Sequence, residues 1–180
     1  MYTIKIENLT KKYKNKIAVN NLNLEIKEGE LFSLLGTNGA GKTTTLKMLS
    51  TLIKPTSGSI FINELDLTKN KQKIKEILNI SPQDTAIAKN LTVLENLNFF
   101  AGVYEINNKE TKIRGLIKLF KLENILNQKA KTLSGGWQRK LSIALALINE
   151  PKILFLDEPT LGLDVISRRE LWKLILKLKK

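Results

Sequence analysis

Cysteine and histidine are both missing from this 180-residue sequence. The first absence excludes disulfides and thiolate metal sites, and it fits a reducing compartment. The second removes the side chain that most readily moves protons near neutral pH. Long apolar runs are missing too: the longest, Ile143-Ala-Leu-Ala-Leu-Ile148, falls far short of the roughly 20 residues that span a bilayer. Any membrane contact is therefore expected to come through a partner. The N-terminus, Met1-Tyr-Thr-Ile-Lys-Ile-Glu7, lacks the basic-then-apolar pattern of an export signal. Arginine is scarce. Arg114, Arg139, Arg168 and Arg169 are the only arginines among 30 basic residues, which with 17 acidic ones leave a net charge of +13. A nucleic-acid or anionic-lipid partner would fit that charge, and so would a surface that simply defaults to lysine. Arginine is the better bidentate reader of phosphate, and aromatics do not interleave with the lysines as they do in proteins that grip single strands. No nucleic-acid partner is expected.

What is present is ordinary globular material, 42% hydrophobic and 26% charged. Tyr2-Thr-Ile-Lys-Ile6 and Leu22-Asn-Leu-Glu-Ile26 alternate like strands. Leu31-Phe-Ser-Leu-Leu35 is nearly continuous in apolar residues, which predicts a strand buried on both faces. A helix is expected from about Lys42 to Leu52, then a turn at Pro55-Thr-Ser-Gly58 and a strand at Ser59–Ile62. From about Asn90 the spacing turns helical. Thr92-Val-Leu-Glu95 has the form of a capping box, and Leu94, Leu97, Phe100 and Ala101 follow at helical intervals. Leu116 to Leu122 marks a further helix, and the strand signal returns at Ile153-Leu-Phe-Leu156. The expected architecture is one α/β domain over 1–180. Residues 1–87 and 151–180 would form an α/β lobe, interrupted at 88–150 by a helical subdomain.

Three segments carry chemistry. Gly36-Thr37-Asn38-Gly39-Ala40-Gly41-Lys42-Thr43, followed by Thr44, fits the pattern G-x-x-x-x-G-K-[ST] between an apolar run and a helix. The glycines let consecutive amides approach an anion, and the helix start adds its positive end. Lys42 is placed to reach the β- and γ-phosphates of a nucleotide, and the Thr43 hydroxyl to ligate Mg²⁺. An ordinary glycine turn before a helix is the alternative. Asp157 and Glu158 end the apolar strand, where open α/β sheets bind ligands. Asp157 suits the Mg²⁺ shell, and Glu158 suits the polarisation of an attacking water; a solvated acidic turn is the plainer reading. Ser134, Gly135 and Gly136, within Leu133-Ser-Gly-Gly-Trp-Gln138, open a helical stretch from Arg139 to Ile148. They form a second anion-binding element. One nucleotide does not need two cradles in one chain, so the second would serve a nucleotide held by another copy; a capped loop before a core helix is the alternative.

In order and rough spacing, the glycine loop, Leu133-Ser-Gly-Gly136 and Leu156-Asp-Glu-Pro159 resemble the ATP-binding subunits of ABC transporters, over essentially the whole chain. The resemblance implies a P-loop NTPase fold: a mixed sheet core, an antiparallel N-terminal β subdomain and an inserted α-helical subdomain. It implies ATP and Mg²⁺ as ligands, and a head-to-tail dimer with a second such subunit, in which each Ser-Gly-Gly faces ATP on the opposing loop. It also implies ATP hydrolysis that drives an integral membrane permease from the cytoplasmic face of the membrane. By the same resemblance Tyr13 would stack on adenine, with a half-buried strand residue as the alternative. Gln83, in Ser81-Pro-Gln83, would touch Mg²⁺ and sense the permease, and Leu161-Gly-Leu-Asp164 would link the two active sites. Leu94 to Ala101, Leu141 to Leu147 and Ser167 to Trp172 resemble the drug-resistance and polyketide-efflux exporters.

Two departures stand out. Trp137 occupies a position where the family usually has Gln, and the switch histidine that the family places after the next strand has no counterpart before Lys180, where the sequence stops inside an expected helix, Arg168 to Lys179. Either a longer subunit has been shortened or a short gene encodes a slow ATPase. ATP binding with weak hydrolysis by the chain on its own is expected. The alternatives are a regulatory paralogue that damps a full subunit, and a non-transport ABC ATPase acting on ribosomes or nucleic acid.

Overall fold

The computed structural model describes residues 2–178, which divide into two compact units, residues 2–78 and 79–178. In the first unit, β1 (Tyr2–Tyr13) and β2 (Lys16–Lys27) form a long antiparallel hairpin, with Ile4 opposite Ile26 and Ile6 opposite Leu24. β3 (Ser57–Ile62) adds to the other edge of β1, and the short β4 (Leu65–Asp66) follows, in the order β2-β1-β3-β4. The period of two places Ile4, Ile6, Ile60 and Ile62 on one face, and all four are buried. Helices α1 (Lys42–Leu49) and α2 (Lys71–Ile77) contribute Met48, Leu49 and Ile74 to the buried set.

Two expectations for this unit are corrected. Helix α1 ends at Leu49, not Leu52. The Thr51 amide donates to Met48 O (3.1 Å) and the Leu52 amide to Lys47 O (2.9 Å), while Thr51 sits at φ +65°. This paired closure satisfies the last carbonyls and turns the chain out of the helix. Leu31–Leu35 is not a strand, and it is not buried: Leu35 is 91% exposed, and Leu31 and Phe32 are exposed as well. An apolar run reports a tendency to be buried, but a strand also needs a neighbour to take its backbone hydrogen bonds. Among the described residues no strand pairs with this one.

The second unit is mainly helical. α3 (Val93–Val103), α4 (Lys109–Phe120), α5 (Gly135–Ala146) and α6 (Val165–Leu178) enclose a core that includes Leu97, Phe120, Leu141, Ile143, Leu171 and Ile175. β5 (Leu78–Ser81) and β6 (Ile153–Leu156) form a two-stranded sheet. The capping box before α3 is present in full: the Glu95 amide donates to Thr92 Oγ1 (3.2 Å) and the Thr92 amide to Glu95 Oε2 (2.7 Å). The Thr92 amide first, and then the Thr92 hydroxyl, hold the Glu95 carboxyl below its ordinary pKa. Of the helix expected from Arg168 to Lys179, the part up to Leu178 lies in α6, and Lys179 is outside the described residues. No helix among the described residues is long and apolar enough to cross a membrane.

Candidate functional site

Gly36–Thr43 connects the irregular Leu31–Leu35 segment to α1. Gly39 and Gly41 adopt φ +85° and +87°, the left-handed region where a side chain is strained. Gly41 is doubly constrained, because a Cβ there would lie 2.3 Å from Ala18 O. The loop is wrapped around the Lys42 amine, which donates to Gly36 O (2.8 Å) and Thr37 O (3.0 Å). The Ala40 amide closes the turn on Thr37 O (3.2 Å), and the Thr45 amide donates to Gly41 O (2.8 Å). Thr37, Asn38, Gly39 and Ala40 are exposed, while Thr43 and Thr44 are half-buried in the first turn of α1. Beside the loop lies an open cavity of about 430 Å³, lined by Ile17, Val19, Leu35, Ala40 and Lys42 among others. Tyr13 ends β1 and is 46% exposed, with Lys11 Nζ 5.0 Å from its ring centroid. Tyr13 is thus a strand residue whose ring faces a cation across its exposed side.

In the second unit, Asp157 follows β6 and is 5% exposed; its amide donates to Ser81 O at 3.0 Å. Glu158 is half-buried and carries φ +46°, an uncommon conformation for a residue with a side chain. The Ser81 hydroxyl shares a hydrogen bond with that of Ser142 on α5 (3.0 Å). Gln83 is exposed, but its carbonyl accepts from Arg139 Nη2, and Pro82 O accepts from Arg139 Nη1 at 2.7 Å. Arg139 is 5% exposed. Burial pushes its pKa down, and the nearby Asp157 and Asp84 carboxylates oppose that shift. Its place in the site went unremarked in the sequence. The available signal was an arginine in a chain that otherwise uses lysine.

Ser134 and Gly135 are exposed where α5 begins, and Gly136 is half-buried beside Ser167. Ser134 occupies the N-cap position but makes no side-chain cap bond. Trp137 faces Lys140 Nζ at 4.4 Å from its ring centroid, and the same amine bonds Glu170 on α6 at 2.7 Å. Asp164 caps α6, accepting from the Ile166 (2.9 Å) and Ser167 (3.0 Å) amides. Its pKa is held down by the Ser167 hydroxyl first, then by the Ser167 amide.

The expected residues therefore fall into two sets: Tyr13 and Gly36–Thr44 in the first unit, and Gln83, Ser134–Gly136, Asp157 and Glu158 in the second. The first set fits a polyphosphate, because the left-handed glycines and the lysine amine stand at a helix N-terminus. The oxygen donors fit Mg²⁺, a hard cation that is commonly held by one or two carboxylates together with substrate phosphates. No group of three or more acidic side chains that could hold a metal by itself occurs among the described residues.

Residues 19–161 match the family described as ABC transporter. The human phospholipid-transporting ATPase ABCA3 is 42% identical over 98% of this chain and 11% of that protein. The probable multidrug ABC transporter ATP-binding protein YbhF of Escherichia coli is 41% identical over 94% of this chain and 30% of that protein. The chain thus spans a third or less of the length of these relatives. Among solved structures, cbiO1 of Clostridium perfringens, part of the ABC transporter complex cbiONQ, aligns with TM-score 0.85 and 31% identity over 99% of this chain and 74% of that one. The dimeric cassette MJ0796 in a post-hydrolysis state bound to ADP and Pi aligns with TM-score 0.85 and 32% identity, over 98% of this chain and 83% of that one.

Proposed function

This chain belongs to the ABC transporter family, as an ATP-binding domain with the P-loop NTPase fold, and from that premise we propose that it binds and hydrolyses ATP to power export through a separate membrane permease. The observation that carries the proposal is the Gly36–Thr43 loop, closed around Lys42 at the start of α1, with Gly41 pressed against Ala18 O. Lys42 would exchange its two carbonyl partners for β- and γ-phosphate oxygens, and the amides of Thr37, Asn38 and Gly39 would receive the rest. Thr43, Asp157 and Gln83 would hold Mg²⁺, and Tyr13 would stack on the adenine. When bound, the metal neutralises charge on the β- and γ-phosphates. Glu158 would take a proton from the attacking water as general base.

The dimeric cassette MJ0796 supports pairing with a second ABC subunit; in a head-to-tail pair Ser134, Gly135 and Gly136 would meet ATP on that subunit's loop. That cbiO1 is part of the ABC transporter complex cbiONQ supports assembly into a transporter complex; in such a complex this chain would sit against a permease, peripherally on the cytoplasmic face of the membrane. YbhF, named for multidrug transport, supports export. These relatives favour transport over action on ribosomes or nucleic acid.

Titration with a fluorescent ATP analogue tests the reading. Lys42→Ala should weaken binding by about 100-fold, since charge-assisted bonds to phosphate are lost. Glu158→Gln should keep affinity and lose turnover. Equal affinity of Lys42→Ala and the parent chain would refute the assignment.

A further inference from the structure

We propose that Arg139 is a positioning residue: its guanidinium clamps the backbone of Pro82 and Gln83 to the start of α5, so that the glutamine loop, the Ser-Gly-Gly helix and Asp157 hold one arrangement. The proposal rests on the function assigned above for the importance of Gln83 and Asp157, but its geometry lies wholly within the second unit.

The guanidinium is a fork of N–H donors, and two arms of that fork take the carbonyls of two consecutive residues, Pro82 and Gln83. A backbone held at two successive carbonyls has little freedom to rotate. The same segment is tied at Ser81, whose hydroxyl pairs with Ser142 on α5 and whose carbonyl accepts from the Asp157 amide. Ser81 to Gln83 is thus tied to α5 by three hydrogen bonds, through Arg139 and Ser142, and to the residue after β6 by one, while Gln83 stays exposed. Burying a cation is costly unless it is compensated, and here the compensation comes from two carbonyls and the Asp157 and Asp84 carboxylates. A lysine would keep the charge but lacks the rigid fork. In a chain where lysine is the default cation, arginine at this place has a geometric reason.

The decisive measurement is backbone amide exchange in the nucleotide-free chain, comparing the parent with Arg139→Lys and Arg139→Met. Loosening Pro82 and Gln83 should weaken the adjoining bond from the Asp157 amide to Ser81 O and speed exchange at Asp157 by about tenfold or more in Arg139→Lys, with the α3 and α4 amides unchanged. A second readout is kinetic: affinity for the ATP analogue should stay within about twofold, because Gly36–Thr44 lies in the other unit, while turnover falls about tenfold. Exchange at Asp157 that matches the parent in Arg139→Lys would overturn the proposal. Acceleration spread evenly over α3 and α4 in both variants would overturn it as well, since that marks a general support of the fold. If the parent binds no ATP, the assigned function fails, yet the exchange comparison uses no nucleotide and still decides the role of Arg139.

Discussion

The loop before α1 holds Gly39 and Gly41 at φ +85° and +87°, whereas Gly135 and Gly136 at the start of α5 lie in ordinary helical backbone. Gly41 is required by its own surroundings, because a Cβ would strike Ala18 O. Gly136 has a close neighbour in the Ser167 side chain, but a Cβ on Gly135 would meet nothing within 4 Å. The helix caps differ in the same direction. Thr92 spends its hydroxyl on the first turn of α3, while Ser134 leaves its own helix uncapped. One glycine loop is shaped by internal contacts. The other begins a helix whose N-cap serine hydroxyl makes no cap bond.

That contrast can be broken experimentally. The largest effect is expected from Gly41→Ala, which meets both an unfavourable φ and a backbone oxygen; it should destabilise the first unit by about 3 kcal/mol or more in urea unfolding. Loss of under about 1 kcal/mol would mean that the loop is not built around that close approach. Gly135→Ala should instead leave stability within about 1 kcal/mol of the parent, yet weaken ATP-dependent self-association by about tenfold in light scattering, since the added methyl lies on the proposed ATP-facing backbone. Unchanged association would remove the second loop from the interface. The smallest effect separates the two caps. Thr92→Ala should cost about 1 kcal/mol, and Ser134→Ala only a few tenths.

The box also predicts a pH dependence. Because folding lowers the Glu95 pKa, its contribution is present above the unfolded value of about 4.3 and is lost as pH falls through the lower folded value. Glu95→Gln should abolish that acid loosening of α3 in amide exchange, and an unaltered acid profile would assign the effect elsewhere.

Much of this was legible without coordinates. The alternating strands, the capping box, β6 and the three motifs depend on local spacing, and local spacing reports the dihedral preferences and which face is apolar. The segment Leu31–Leu35 and the end of α1 were misread for one reason. Burial of an apolar run and closure of a helix end both depend on which backbone groups find partners, and composition does not say. Arg139 escaped attention because its partners, Pro82 and Gln83, are distant in sequence.

What the sequence by itself determined is therefore the family, the glycine-rich loop before α1 and the residue types available for chemistry, all written in short contiguous patterns. Only the tertiary structure decided that Gly41 must be bare, that Leu31–Leu35 is left unpaired among the described residues, and that one buried guanidinium fastens the glutamine loop to α5. Each of those depends on an oxygen or amide brought close by folding from elsewhere in the chain, or on the lack of one, and no local pattern encodes that distance.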